Sequence, residues 1–144
     1  MTVEPMLTAI VVGCGRIAGG APDSDSPAIL SHAAAYHRHE GFQLTACVEP
    51  DETRRSEFMA RWGIALGFAD IEEAIAEGAN WDVASICTPT TRHAADLRAI
   101  LQSRTRAVWC EKPLTSSAPE SADIVTAYDR AGKHLAVNHL RRWH

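Results

Sequence analysis

Short, nearly continuous apolar runs recur at regular intervals along this chain, with helix-patterned segments between them. The runs are 7–12, 43–48, 82–87, 107–110 and 134–137, with a weaker one at 65–68. Each is rich in β-branched residues and shows little polar alternation, the pattern of a strand covered on both faces. The intervening segments carry helix end signals. Ser26-Pro27 sets a capping residue before a proline suited to the first helical position, which predicts a helix running to about His39 and stopping at Gly41. Asp51 is placed to cap a helix ending near Trp62 and Gly63, and 91–103 repeats Ala and Leu at helical spacing. Asp70 with Glu73, and Ser117 with Glu120, have capping-box spacing, and the helix after Ser117 ends at Gly132. This alternation predicts an α/β protein: a doubly wound, mostly parallel sheet in three α/β/α layers, joined by right-handed crossovers.

With 144 residues, 46% of them apolar, the chain is one domain's worth of protein and large enough to bury a core. Lys and Arg number 14 against 18 Asp and Glu, a net charge of −4 with no basic block, which argues against a nucleic-acid partner. Cys14, Cys47, Cys87 and Cys110 form no Cys-x-x-Cys pair, and three of them lie in or at the end of apolar runs. They are expected as small buried hydrophobes rather than a disulfide framework or a zinc site. The N-terminal stretch lacks the basic region of a signal peptide, and no apolar span is long enough to cross a membrane. A cytoplasmic setting without membrane contact is expected.

The loop after the first run reads Gly13-Cys14-Gly15-Arg16-Ile17-Ala18. Such a glycine pattern is weak evidence alone. A strand before it, a helix after it and an acid beyond make it a candidate dinucleotide-binding turn. Gly13 suits the tight turn, Gly15 lets the backbone approach a pyrophosphate, and Ala18 permits close helix–strand packing. Backbone amides around Gly15, Arg16 and Ile17 then serve as donors to phosphate oxygens. The acid is Glu49, at the end of the second long run. A carboxylate there accepts both ribose hydroxyls of adenosine and repels a 2′-phosphate, which favours NAD over NADP. Arg54 and Arg55 soften that preference if either reaches a 2′-phosphate, although helix-face charges of this kind are ordinarily just solvated. Glu49 follows Gly15 by 34 positions, against the usual ~20. The excess is the small-residue, acidic stretch 19–26, so the helix expected at the phosphates is either delayed or begins near Ile17 and breaks. On this segment alone, a purely structural strand–helix turn stays open.

Two further motifs stand at the carboxyl ends of expected parallel strands, the edge where open α/β sheets bind ligands. Cys87-Thr88-Pro89 supplies a turn with backbone groups free for a ribose or a nicotinamide. Glu111-Lys112-Pro113 sets a charged pair directly beyond an apolar run, and a lysine fixed there before a proline reads as a site residue. Taken in order, GCGRIA, the strand-end Glu49, CTPTTRH, EKPLTSS and VNHLRRWH resemble the N-terminal domain of the Gfo/Idh/MocA family, that of glucose–fructose oxidoreductase and inositol dehydrogenase. The resemblance covers essentially the whole chain. The departures are the longer loop after Gly19 and Glu in place of the commoner Asp at 49.

The resemblance implies a Rossmann NAD(P)-binding fold, with NAD as cofactor and NADP the lesser choice, and hydride transfer at a sugar or polyol hydroxyl. It implies that Lys112 sits beside the nicotinamide and the substrate hydroxyl, as both catalytic and substrate-binding residue. Glu111 is implied near the nicotinamide ribose, and Thr88, Pro89 and His93 in a second cofactor loop. Asn138 is implied at the nicotinamide end, Arg142 near the substrate, and the Lys112-Pro113 bond as cis. No metal is expected: of His32, His37 and His39 on one helix, the latter two do not share a face, and His32 reads as packed or solvated. Trp62, Trp81 and Trp109 read as core or strand-edge packing. Members of the family continue into a second α/β domain that brings most substrate contacts and the oligomer interface. Residues 1–144 are therefore expected to form the dinucleotide-binding domain without its substrate domain, incomplete for catalysis alone and prone to homo-oligomerise through uncovered apolar surface. The alternative is a stand-alone dinucleotide-sensing or interaction module without turnover. An S-adenosylmethionine enzyme on the same fold is disfavoured by the Ala18 spacing and by Lys112-Pro113.

Overall fold

The computed structural model describes residues 5–21, 28–78 and 80–139. Six strands form one sheet: β1 (Leu7–Val12), β2 (Phe42–Val48), β3 (Leu66–Phe68), β4 (Val83–Ile86), β5 (Ala107–Glu111) and β6 (His134–Asn138). Their spatial order is β3-β2-β1-β4-β5-β6, and every neighbouring pair is parallel. The expected doubly wound sheet is therefore present, wholly parallel, and the weak run at 65–68 is a true edge strand.

Five α-helices connect the strands: α1 (His32–Arg38), α2 (Glu52–Trp62), α3 (Ile71–Ala76), α4 (Thr90–Leu101) and α5 (Ala118–Arg130). Three anticipated caps are made, since Asp51, Asp70 and Ser117 accept from the amides of Arg54, Glu73 and Glu120. One expectation fails. Ser26 and Pro27 lie outside the described residues, but 28–31 are not helical, and the helix starts only at His32. Its cap is Ser31, whose hydroxyl accepts from the Ala34 amide at 3.2 Å. The first turn after the glycine loop is instead a short 3-10 turn, Arg16–Ala18, so the connection begins near Ile17 and breaks.

The sheet buries both faces unequally. On one face, Ile10, Val12, Ile86, Val108 and Cys110 pack against Leu97 and Ile100 of α4 and Ile124 and Tyr128 of α5. On the other, Ala9, Val11 and Cys47 meet Ala33 and Tyr36 of α1 and Phe58 of α2. All four cysteines are buried and free, which is how small apolar side chains behave in such layers. Trp81 packs in the core against Phe68, whereas Trp109 of β5 stays 47% exposed on the α1 face of the sheet. No described helix is long and apolar enough to cross a membrane.

Candidate cofactor site

The chain changes winding direction between β1 and β4, which are neighbours in the sheet, and such a switch point opens a crevice at the carboxyl edge. The loops after β1, β4 and β5 meet there. Gly13 has φ +88°, and a Cβ on it would lie 2.8 Å from the Thr88 amide nitrogen, so the glycine loop rests directly on the β4–α4 loop. That conformation and that approach both require glycine. A Cβ on Gly15 would meet nothing within 4 Å, so its backbone faces open space. The amides of Gly15, Arg16 and Ile17 donate to no other group among the described residues, while Ala18 is fully buried beneath them. Successive free N–H groups of this kind form an anion cradle. The donor set therefore fits a diphosphate. Beside it runs a groove of about 690 Å³ whose lining includes Gly15, Arg16, Gly20, Asp51, Thr53 and Arg54, a size suited to a nucleotide.

Glu49 lies at this crevice but is nearly fully buried and already engaged. Its Oε2 accepts from the Cys14 amide at 3.1 Å, and its Oε1 accepts from the Asp51 amide at 3.1 Å and the Arg54 guanidinium at 3.2 Å. Arg55 donates to the Glu49 carbonyl at 2.6 Å. The two arginines are thus not simply solvated helix-face charges: both turn back on Glu49, and Arg54 offsets its charge. Trp62 reaches the same loop and donates from its indole to the Gly19 carbonyl at 3.0 Å.

At the other side of the crevice, Lys112 is exposed, its ammonium bonded to no described residue, and the Lys112-Pro113 bond is cis. Its neighbour Glu111 is anchored from two elements. Oε1 accepts from His32 Nε2 at 2.8 Å and from the Asn138 amide group at 2.6 Å. Burial raises the Glu111 pKa, but these hydrogen bonds outweigh it and hold the carboxyl below its ordinary range. The anchor continues inward. His32 Nδ1 meets Ser85 Oγ at 2.9 Å, and Tyr36 meets the same oxygen at 2.8 Å. Burial pushes the Tyr36 phenol up to about 12, so it stays a donor. The carboxylate only accepts, so Nε2–H donates to Glu111; with one proton on the ring, Ser85 donates to Nδ1 and Tyr36 donates to Ser85.

His93 is 1% exposed, and its short bonds go to the backbone carbonyls of Thr88 and Pro113 with the Cys110 sulfur 3.7 Å from Nδ1, so it supports the loops from beneath rather than facing the crevice. The Thr88 hydroxyl donates to Asp96 at 2.6 Å, and Pro89 is exposed at the start of α4. Arg142 lies outside the described residues. The described residues hold no cluster of three or more potential metal ligands. The inward network was missed from sequence, although Ser85, the lone hydroxyl in the buried strand β4, was the available signal.

A glycine turn with free amides, a strand-end acid and an exposed lysine on the edge of a doubly wound sheet are the features of a dinucleotide-binding domain. A family model described as "Oxidoreductase family, NAD-binding Rossmann fold" (GFO_IDH_MocA) matches residues 7–139, and the chain belongs to that family. It is similar to the scyllo-inositol 2-dehydrogenase (NADP(+)) IolU of Bacillus subtilis, with 31% identity over 61% of this chain and 26% of that protein. The inositol 2-dehydrogenase of Corynebacterium glutamicum (strain R) is 32% identical over 74% of this chain and 32% of its own length. Among solved structures, the WlbA dehydrogenase of Chromobacterium violaceum, in complex with NADH and UDP-GlcNAcA, superposes with a TM-score of 0.81 at 25% identity. That match covers 99% of this chain and 39% of the other. The chain therefore spans between about a quarter and two fifths of these proteins.

Proposed function

We propose that this chain is the cofactor half of an oxidoreductase that moves hydride between NAD(P) and a hydroxyl of a sugar or polyol. In this reading residues 1–144 are one dinucleotide-binding domain, and a second domain supplies most substrate contacts. The observation that carries it is the free Lys112 ammonium beside an anchored Glu111, across the crevice from the glycine cradle. The nicotinamide, when bound, supplies the hydride acceptor. The amides of Gly15, Arg16 and Ile17 hold the diphosphate, and Glu49 takes a ribose hydroxyl on its remaining lone pair. Thr88 and Pro89 flank the middle of the cofactor, and Glu111 with Asn138 shapes the nicotinamide end. The Lys112 cation draws the substrate hydroxyl toward the alkoxide, which general acid–base and electrostatic catalysis at a developing oxyanion require. The dehydrogenase names and the inositol substrates of the relatives support the substrate class. NAD is the preferred cofactor because Glu49 opposes a 2′-phosphate. We also assign self-association to the chain, through the sheet face that carries Trp109.

Titration of the purified chain with NADH, followed by nicotinamide fluorescence, is expected to saturate. Absence of binding at about 1 mM, a free energy near −4 kcal/mol, would overturn the reading. Addition of myo-inositol and NAD to the same chain is expected to give little or no reduction. Robust steady-state turnover would refute the half-site assignment.

A further inference from the structure

Two histidines grip the Glu111-Lys112-Pro113 segment from opposite faces of the sheet, and they differ in one chemical respect. His32 bonds to a carboxylate and a hydroxyl, and the hydroxyl can donate, so one ring proton satisfies both contacts. His93 has no such hydroxyl: apart from the weak thiol of Cys110, whose sulfur is 3.7 Å from Nδ1, its partners are carbonyls. Its Nδ1 lies 2.8 Å from the Pro113 carbonyl oxygen, and its Nε2 lies 2.8 Å from the Thr88 carbonyl oxygen. A carbonyl only accepts. Both contacts are hydrogen bonds together only when the ring carries both protons, and a neutral ring makes one of them.

We propose that His93 is a positioning residue for the cofactor site: its doubly protonated ring clasps the β4–α4 loop to the Lys112 loop, and loss of one proton opens one arm of the clasp. The clasp reaches the third loop as well, because the glycine loop rests on Thr88 through Gly13. Thr88 is fixed twice, its carbonyl by His93 and its hydroxyl by Asp96. The ring is buried, so water cannot replace a lost arm. The ionisable groups around it are Asp96 and Arg92 on its own helix, with Arg92 pairing to Asp96 at 3.4 Å. From β5 come Cys110, whose sulfur is 3.7 Å from Nδ1, and Glu111. Tyr128 of α5 stands beyond Cys110. Asp96 is buried with Thr88 and Arg92 as its partners; burial pushes its carboxyl up, while Thr88, Arg92 and His93 itself draw it back toward the charged form. This inference rests on the proposed function only where it concerns cofactor affinity; the clasp itself does not.

The test uses the full chain. Long-range proton–nitrogen spectra of the imidazoles follow the protonation of His93 as pH is raised, and amide exchange at Thr88, Lys112 and Leu114 is followed on the same samples without nucleotide. Exchange at these amides is expected to rise as the His93 ring loses a proton, with the same midpoint. NADH affinity is expected to weaken about fivefold across that transition, the loss of one hydrogen bond. His93→Gln and His93→Asn each keep one arm, so both are expected to bind NADH as the wild type does at high pH, with a flat pH profile. Exchange that ignores the His93 titration, or a ring that carries a single proton throughout, would overturn the clasp. If NADH does not bind at all, the proposed function fails while the exchange data still decide the clasp.

Discussion

Under the proposed function, Glu49 and Arg54 together set how strictly the adenosine end discriminates. The carboxylate is buried and holds the Cys14 and Asp51 amides, whereas the guanidinium that offsets its charge has a side chain 56% exposed. An ion pair with one exposed partner is worth about 0.2–1 kcal/mol, so Arg54 is easily drawn away toward a ligand. Two substitutions are then expected to move cofactor preference in opposite directions. Arg54→Ala leaves the acid uncompensated and is expected to widen the NAD-over-NADP ratio by roughly twofold to fivefold. Glu49→Ala is expected to narrow the ratio and weaken NADH binding, and to cost about 1–3 kcal/mol of stability by orphaning two amides. Paired NADH and NADPH titrations with a urea melt measure all three. A ratio that does not move in Glu49→Ala would remove this acid from its assigned role.

Elements of this fold are tied at the site edge by polar bridges as well as by apolar packing. The Glu111 carboxylate joins α1 through His32 and β6 through Asn138. Its native pKa lies below the ordinary value, so in the window between them the unfolded chain binds more protons than the folded one. Stability from this bridge is therefore fully present above about pH 4.5 and is lost as pH falls through the native pKa. Urea unfolding of the wild type and Glu111→Gln is expected to show a stability gap at neutral pH that closes toward pH 4 and below. A gap independent of pH would refute the bridge.

The same scale shows what could be read from the sequence. Asp51, Asp70 and Ser117 announced their helices because a capping contact spans only three residues. α1 was misplaced because Ser26-Pro27 is a stronger local start signal than Ser31, which has no acid at the third helical position. The glycine cradle was legible because its requirement is conformational and lies in the residues themselves. The inward network was not, since His32 and Glu111 are 79 positions apart and only the crossover brings them together. The donor count at His93 was hidden for a different reason: its closest partners are backbone carbonyls, which every residue carries.

For the molecule as a whole, the uneven covering of the sheet matters most. α4 and α5 cover β4 and β5 on one face, while α1 and α2 cover β1 and β2 on the other. The rest of that second face carries the half-exposed Trp109, and near it Ile29 and Leu30 are also exposed. Sedimentation of the chain is expected to show association that grows with concentration, and Trp109→Lys is expected to reduce it. A wild-type chain that stays monomeric at high concentration would count against the assignment.

Trp109 also meets the His32 ring edge-on, with centroids 6.2 Å apart. An imidazole at that range quenches indole emission, and a solvent-facing indole emits to the red of the core-buried Trp81. Trp109 is thus an intrinsic optical reporter seated beside the histidine that steadies Glu111, and the emission lost in Trp109→Phe separates its signal from those of Trp62, Trp81 and Trp143.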